Sequence, residues 1–312
     1  MSPLDPRTLA GLRSRVPSRD EPEGGVRLVL DGSPAGRAPL RWAAAEASVR
    51  GTTLRIERTV ATPVPVVDPW TPWVGWHPWV APEGPSATEL AWTTARSDVA
   101  RAIRQAHAVD PRLDVSTSLA AGSVAAALAR RAADDVLVVV ARRRGLWPLL
   151  GHLPGANGVR RPRCPVAVVR LTDVPQPGPS AHRVVAALRP REVPTDVLDV
   201  AFRAAARRRT GLTVLHARGG AASATVATEI LDEVLDPYGL VFPDVEVRTR
   251  EVPSLARAVA SESRGAAAVV VGLPSAARDV AGRVLVRRVL GSARSTVVCV
   301  PSARPVPRRW RS

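Results

Sequence analysis

Short runs of β-branched residues alternate with alanine-rich stretches along most of this chain, and this alternation constrains the fold more than any other feature. The first strand–helix–strand series spans residues 26–30, 37–50 and 52–56. In its middle segment the apolar side chains fall on one helical face, and Gly51 follows as a residue common at helix ends. Strands separated by helices pair in parallel, so the pattern predicts a parallel sheet covered by helices.

The alternation runs through the chain twice. The first series continues with a helix at about 87–108, a strand near 113–118, a helix from Ser123 to Ala133, a strand from Val136 and a strand at 166–170. The second series contains strands at 183–188, 212–216, 244–250, 267–271 and 296–300, with helices at 195–209, 224–236 and 254–264. Two similar units of five strands each are therefore predicted.

The spacing of corresponding residues indicates the domain organisation. Leu54 corresponds to Leu212 near the front of each unit, but from the third helix onward the offset is smaller, and Cys164 corresponds to Ser295. The first unit therefore carries an insertion at about 61–85. We predict an N-terminal tail (1–24), a first domain (25–172), a proline-rich linker (173–181), a second domain (182–302) and a basic C-terminal tail (303–312).

The insertion holds a tryptophan at every third position, with prolines among them: Trp70, Trp73, Trp76 and Trp79. Three residues per turn is the period of a polyproline II segment, so the four rings would line one edge of an extended strip. Two interpretations stay open. The rings fold back over the cleft between strands one and four of their own domain, or they form a docking strip for a partner protein, another copy of the chain or a membrane surface.

The formal charge of +16 comes from arginine, because all 44 basic residues are arginines and lysine is absent. A GC-rich coding sequence produces that bias, and the arginines are scattered along the chain. We therefore expect a solvated basic surface and no nucleic-acid partner, with a salt-sensitive attraction to RNA or DNA kept as an alternative. No apolar run is long enough for a transmembrane segment and the N-terminus lacks a signal-peptide core, so a cytoplasmic location is expected.

The sequence contains no catalytic or metal-binding constellation that we recognise. A P-loop needs a lysine, no Gly-x-Gly-x-x-Gly occurs, and no serine lies in a Gly-x-Ser-x-Gly setting. The five histidines are far apart in sequence, and the two cysteines, Cys164 and Cys299, lie in apolar runs typical of buried free thiols. We therefore predict a protein that is not an enzyme and binds no metal.

Three segments carry a family resemblance. VRLVLDGSPAGRAPLRWAAAEASVRGTTL (26–54) and AGSVAAALARRAADDVLVVVARRRGLWPLLGH (121–152) resemble the opening and closing halves of a universal stress protein domain, and SLARAVASESRGAAAVVVG (254–272) resembles it more weakly. The resemblance implies an α/β fold of two tandem five-stranded parallel-sheet domains, Rossmann-like and adenine nucleotide alpha-hydrolase-like. It also implies that the domains dock as an internal pseudo-dimer through the strands at 166–170 and 297–301.

Nucleotide-binding members of that family carry an aspartate after the first strand and Gly-x2-Gly-x9-Gly-Ser/Thr after the fourth, because glycines let backbone amides approach phosphates. Here the match is incomplete. The first-domain positions are Asp31, Gly32, Ser33, Val140, Arg143, Gly151 and His152, and the vestigial second-domain positions are Arg189, Gly272, Ser275 and Gly282. Side chains replace the glycines at Val140, or at Ala141 if the alignment shifts by one residue, and at Arg143. Gly151 fits the third glycine only if the loop is about two residues shorter, and Arg189 corresponds to Asp31.

We therefore interpret the chain as a non-enzymatic, stress-linked regulatory module with degraded nucleotide sites and no cofactor, acting through a protein partner or self-association. One alternative is a sensor that holds ATP in the first-domain cleft, with slow hydrolysis of the ATP as part of this alternative. The second alternative is a basic surface that binds nucleic acid, which steep salt dependence would reveal.

Overall fold

The computed structural model describes residues 24–33, 36–61, 86–129, 135–142, 164–170, 179–189, 195–217, 224–274 and 279–301. Its strands are β1 (Gly25–Leu30), β2 (Leu54–Val60), β3 (Val115–Ala121), β4 (Asp135–Ala141), β5 (Val166–Val169), β6 (Val184–Leu188), β7 (Leu212–Ala217), β8 (Val247–Val252), β9 (Ala268–Gly272) and β10 (Val297–Val300). Its helices are α1 (Arg37–Arg50), α2 (Ala87–Val109), α3 (Val124–Ala129), α4 (Thr195–Arg207), α5 (Ala224–Val241), α6 (Leu255–Glu262) and α7 (Val280–Ser292).

These ten strands lie in one sheet of order β3-β2-β1-β4-β5-β10-β9-β6-β7-β8. Within each half the neighbouring strands are parallel. The halves meet where β5 and β10 pair antiparallel, with Val168 opposite Val297 and Val166 opposite Cys299. The α/β fold class and the internal docking of two five-stranded halves are therefore confirmed, and the pairing leaves neither of these strands as an open edge.

Both faces of the inner strands are buried, which explains their nearly continuous apolar runs, whereas the edge strands β3 and β8 are largely exposed. On one face α1, α2, α4 and α5 cover residues such as Leu28 and Val139. On the other face α3, α6 and α7 cover Val29, Val138 and Val140. Successive side chains of a strand point to opposite faces, so each apolar run contributes to both cores.

A buried ion cluster joins α1 of the first half to the end of α4 in the second half. The Glu46 side chain is 4% exposed and pairs with Arg50 of its own helix at 2.8 Å. From the second half, Arg207 lies 3.5 Å from the carboxylate and Arg208 also pairs with it. Burial by itself would raise the pKa of Glu46, but the three guanidiniums outweigh burial and hold the pKa below its ordinary value. Arg208 also lies over the Trp42 ring, 5.8 Å from its centroid.

Pro237 predicts that helix α5 ends at residue 236. The helix instead continues to Val241 and is therefore longer than the sequence predicts. The extra turn places Tyr238 and Phe242 against Phe202 of α4, at centroid distances of 4.6 Å and 5.7 Å from its ring. All three rings are buried. Burial of this aromatic cluster outweighs the loss of the backbone hydrogen bond that proline cannot donate.

Helix α7 is not among the elements that the sequence predicts. It begins after Asp279, whose Oδ1 atom accepts a hydrogen bond from the Gly282 amide at 2.8 Å. The residues that pack inward, Val286 and Val289, are fully buried, but the outer face also carries exposed valines. The amphipathic pattern of α7 is nonetheless as clear as that of α1 and α5, so a helical signal is present in the sequence here.

Candidate functional site

The carboxyl ends of β1 and β4 mark the expected ligand position of the first half. In open parallel sheets, ligands bind beyond the carboxyl ends of the strands, where neighbouring connections diverge. β1 lies between β2 and β4, so this point falls at the end of β1. Asp31 follows β1 directly, and Val140 near the end of β4 pairs with Val29. The structure thus brings Asp31 and Val140 to the same edge of the sheet.

A tight turn follows β1. The Asp31 Oδ1 atom accepts hydrogen bonds from the Ser33 amide at 3.0 Å and from the Ser33 hydroxyl at 2.7 Å. Gly32 between them has φ +78°, a left-handed conformation that favours glycine. A Cβ at Gly32 would lie 1.9 Å from Nη2 of Arg58, so a side chain at this position would have to displace the Arg58 guanidinium.

Arg58 lines this cleft, although it is not among the predicted site residues. It lies near the end of β2, pairs with Asp98 of α2 at 3.1 Å and donates a hydrogen bond to the Thr59 carbonyl. Its guanidinium also lies against Gly32. No local pattern links Arg58 to Asp98, which is 40 residues further along the chain. Only the packing of α2 beside β2 joins them.

A cavity of about 400 Å³ opens between the turn after β1, the end of β2 and the start of α2. Its charged lining residues are Asp31 and Arg58, and the rest of the wall is small, apolar or hydroxylated: Val60, Ala61, Ala87, Leu90, Ala91 and Thr94. Leu90 is 58% exposed, so one wall is open to solvent. A cavity of this size is at the lower end of the range for small-molecule sites.

Val140 occupies the position at which the resemblance places the first glycine of the phosphate motif. Its side chain is 1% exposed and belongs to the core that also contains Val138 of its own strand and Val286 of α7. The sheet register makes Ala141 the counterpart of Gly272, because Ala141 lies opposite Val169 as Gly272 lies opposite Val300. At either Val140 or Ala141 a Cβ takes the place of a glycine hydrogen, which narrows the access of a phosphate to the backbone.

The equivalent edge of the second half contains an ion pair. Arg189 follows β6, and its Nη1 atom lies 2.5 Å from Oδ2 of Asp279. The other oxygen of this carboxylate accepts the Gly282 amide at the N-terminus of α7. A Cβ at Gly282 would lie 2.3 Å from Arg189 Nη1, so glycine makes room for the pair. A Cβ at Gly272 would lie 3.3 Å from Val197, a tight contact with α4.

His216 takes the place of Arg58 in the second half. It pairs with Leu188 in the sheet as Arg58 pairs with Leu30. Partial burial lowers the pKa of His216, although nearby carboxylates act in the opposite direction. The ring is therefore neutral at neutral pH, and a fixed positive charge of the first half is replaced by an uncharged side chain.

Part of the predicted site lies outside the described residues: Arg143, Gly151, His152, Ser275, Trp70, Trp73, Trp76 and Trp79. Within the ranges that the structure describes, no three histidine, cysteine or acidic side chains lie close enough to hold a metal ion. In those same ranges, no helix has the length and apolarity needed to cross a membrane.

No protein-family model matches the chain. A universal stress protein of Mycobacterium tuberculosis is 26% identical over 270 residues, which cover 80% of this chain and 86% of the relative. A universal stress protein of Mycobacterium bovis is 28% identical over 273 residues, which cover 82% and 88%. Among solved structures, a universal stress protein from Archaeoglobus fulgidus has a TM-score of 0.62 at 14% identity, covering 89% of this chain and 98% of that one.

The similarity extends over both halves of the chain, because each match covers at least four fifths of it. The solved structure supports the fold, and the sequence relatives show a similarity to universal stress proteins. These relatives come from mycobacteria, whose GC-rich genomes agree with the arginine bias of this sequence. With its two halves docked through β5 and β10, the chain is similar over both halves to universal stress proteins of tandem length.

Proposed function

We propose that this protein is a non-enzymatic regulatory or interaction module of the stress response whose action does not depend on a bound nucleotide. The observation that carries the proposal is the ion pair between Arg189 and Asp279 at the N-terminus of α7. The protein would act in the cytoplasm through contact with a partner protein or with another copy of itself.

The second-half cleft is filled by the protein's own side chains. The first amides of a helix attract anions, because they lack intrahelical partners and carry the positive end of the helix dipole. In α7 the anion is the Asp279 carboxylate, which accepts the Gly282 amide and is balanced by Arg189. A phosphate would have to displace a tethered carboxylate that is always present at high effective concentration.

The first-half cleft lacks parts of a phosphate cradle. Asp31 is engaged by the Ser33 turn, and the Val140 side chain fills the core beneath the strand end. The cavity beside Asp31 and Arg58 supports a second candidate function, an ATP sensor in the first domain. Its apolar wall suits an aromatic ring, and its two charged groups suit polar edges of a ligand.

Calorimetry of the full chain with ATP and magnesium tests both candidates. We expect no binding tighter than the millimolar range in the first-half cleft, so Asp31→Ala should leave the ATP signal unchanged. Micromolar binding that is abolished by Asp31→Ala would establish the sensor instead. Mass spectrometry of small molecules released from the purified native protein checks the same point without a chosen ligand.

A second variant tests the filled cleft directly. Asp279→Ala removes the internal anion but leaves the α7 amides and Arg189, so inorganic phosphate should bind this variant more tightly than the natural protein. Asp236→Ala is the matched control, because it removes an exposed carboxylate from α5 with the same change in net charge. Equal phosphate affinities of the two variants would contradict a cleft closed by Asp279.

A further inference from the structure

Two arginines lie side by side where the first half meets the second. Arg142 follows β4 and Arg170 follows β5. The strands are parallel with Ala141 opposite Val169, and the Arg142 amide donates to the Val169 carbonyl at 2.7 Å. In this register Arg142 and Arg170 are neighbours across the sheet, about 4.8 Å apart in the hydrogen-bonding direction. Like charges so placed repel each other.

Both guanidiniums reach the last turn of α7 in the second half. Arg142 Nη2 donates to the Gly291 carbonyl at 2.8 Å, and Arg170 Nη1 donates to the Ala293 carbonyl. Arg294 comes next in the chain and is exposed, with its amide bonded to the Ser263 hydroxyl. Basic residues commonly bind the terminal carbonyls of a helix. Binding to these carbonyls uses one guanidinium donor of Arg142 and one of Arg170. It uses no donor of the Arg294 side chain.

The three positive charges have no acidic partner among the residues that the structure describes. No ion pair of the described part of the chain includes Arg142, Arg170 or Arg294. Burial lowers the pKa of Arg142, and Arg294 lowers it further. The pKa of Arg170 is also lowered, first by burial and then by the other two arginines. The three guanidiniums are therefore close enough to interact.

The fold does not require arginine at these places. In the second half, Leu273 follows β9 as Arg142 follows β4, and its amide donates to the Val300 carbonyl at 2.7 Å. Pro301 follows β10 as Arg170 follows β5. A leucine and a proline thus end the same two strands without charge. The arginines of the first half are not needed to end β4 and β5.

We propose that Arg142, Arg170 and Arg294 form a binding site for a phosphate group at the junction of the two halves. A guanidinium presents five donors in a planar fork that fits phosphate oxygens, and each of these arginines has donors beyond those bound to α7. The site lies on the face of the sheet covered by α7, whereas the cavity beside Asp31 is lined by α2 on the other face. The ligand is a small phosphorylated molecule with exposed phosphate oxygens.

Calorimetry of the full chain with inorganic pyrophosphate is the test. We expect binding that weakens as salt increases, because the contacts are between charges. Arg142→Leu introduces the residue that the second half already carries at this place and should weaken binding about tenfold or more. Arg104→Gln removes an exposed arginine from α2 and should leave the affinity unchanged. Melting curves of each variant show that it is folded.

Two results would overturn the proposal. One is the absence of pyrophosphate binding at millimolar concentration, and the other is an equal affinity in Arg142→Leu and Arg104→Gln. Arg294→Gln provides the same comparison if Arg142→Leu does not fold, because the Arg294 side chain is exposed. ATP distinguishes this site from the first-half cleft, since Asp31→Ala abolishes binding in the cleft and leaves binding at the arginine site intact.

Discussion

Replacing Glu46 by glutamine should weaken the contact between the two halves. The carboxylate is 4% exposed and lies among Arg50, Arg207 and Arg208. Glutamine has nearly the same shape but no charge, so the variant leaves three guanidiniums without their shared counter-ion. Loss of one partner from a fully buried ion pair costs about 3–5 kcal/mol.

The expected loss is smaller here, because water still reaches part of the cluster. The Arg208 side chain is 21% exposed and that of Arg207 is 11% exposed. Glutamine also keeps one oxygen that accepts hydrogen bonds. We therefore expect the free energy of unfolding to fall by about 2–3 kcal/mol. Urea titration of both proteins measures the difference at neutral pH.

The pH dependence gives a second, independent readout. Glu46 has an ordinary pKa of 4.5 and a lower pKa in the folded protein, so its ionised form stabilises the fold fully above pH 4.5. This stabilisation is lost as the pH falls through the folded pKa. The difference in stability between the natural protein and Glu46→Gln should therefore shrink in acid.

Glu89→Gln is the matched control. Glu89 is exposed and accepts the Ser86 amide at 2.7 Å at the start of α2, a role that glutamine also fills. The same chemical change should therefore have little effect at this position. The reasoning is refuted if the two variants unfold at the same urea concentration, or if the effect of Glu46→Gln grows in acid.

Four further predictions concern other parts of the molecule. Phe202→Ala should lower the free energy of unfolding by about 3–5 kcal/mol, measured in urea, because the ring is fully buried; a loss below about 1 kcal/mol would contradict the aromatic cluster. Burial raises the pKa of Cys299 to about 12, so a thiol reagent at pH 8 should label it only after unfolding, and rapid labelling of the folded protein would contradict its burial. Deleting residues 67–85 should lower the melting temperature if the tryptophans pack in the core of their own domain. If they form an interface, the deletion should instead remove self-association measured by ultracentrifugation. No change in either measurement excludes both interpretations. Separately expressed halves (25–172 and 182–302) should dimerise or aggregate through the uncovered β5 and β10, whereas two stable monomers would contradict this.

Most elements could be predicted because their signals are local. The apolar periodicity of α1 and the valine runs of β4 and β9 lie within single segments, so no distant contact is needed to recognise them. Helices α5 and α7 are exceptions. The last turn of α5 depends on the burial of Tyr238 against Phe202, and α7 is not among the predicted elements. The family resemblance supplied the pairing of β5 with β10, which no local pattern contains.

The candidate site also has features that the sequence predicts and features that only the tertiary structure shows. The turn at Asp31 could be recognised from its motif position in the sequence, but the choice between Val140 and Ala141 as the first glycine position depends on the sheet register. The pairing of particular arginines with particular carboxylates could not be recognised from the sequence, because the chain has 44 arginines. Side chains distant in sequence become neighbours only when helices pack on the sheet. Arg189 forms an ion pair with Asp279 because the end of β6 lies beside the start of α7. The tertiary structure alone decided this pair, since its strength depends on distance and burial in the folded protein.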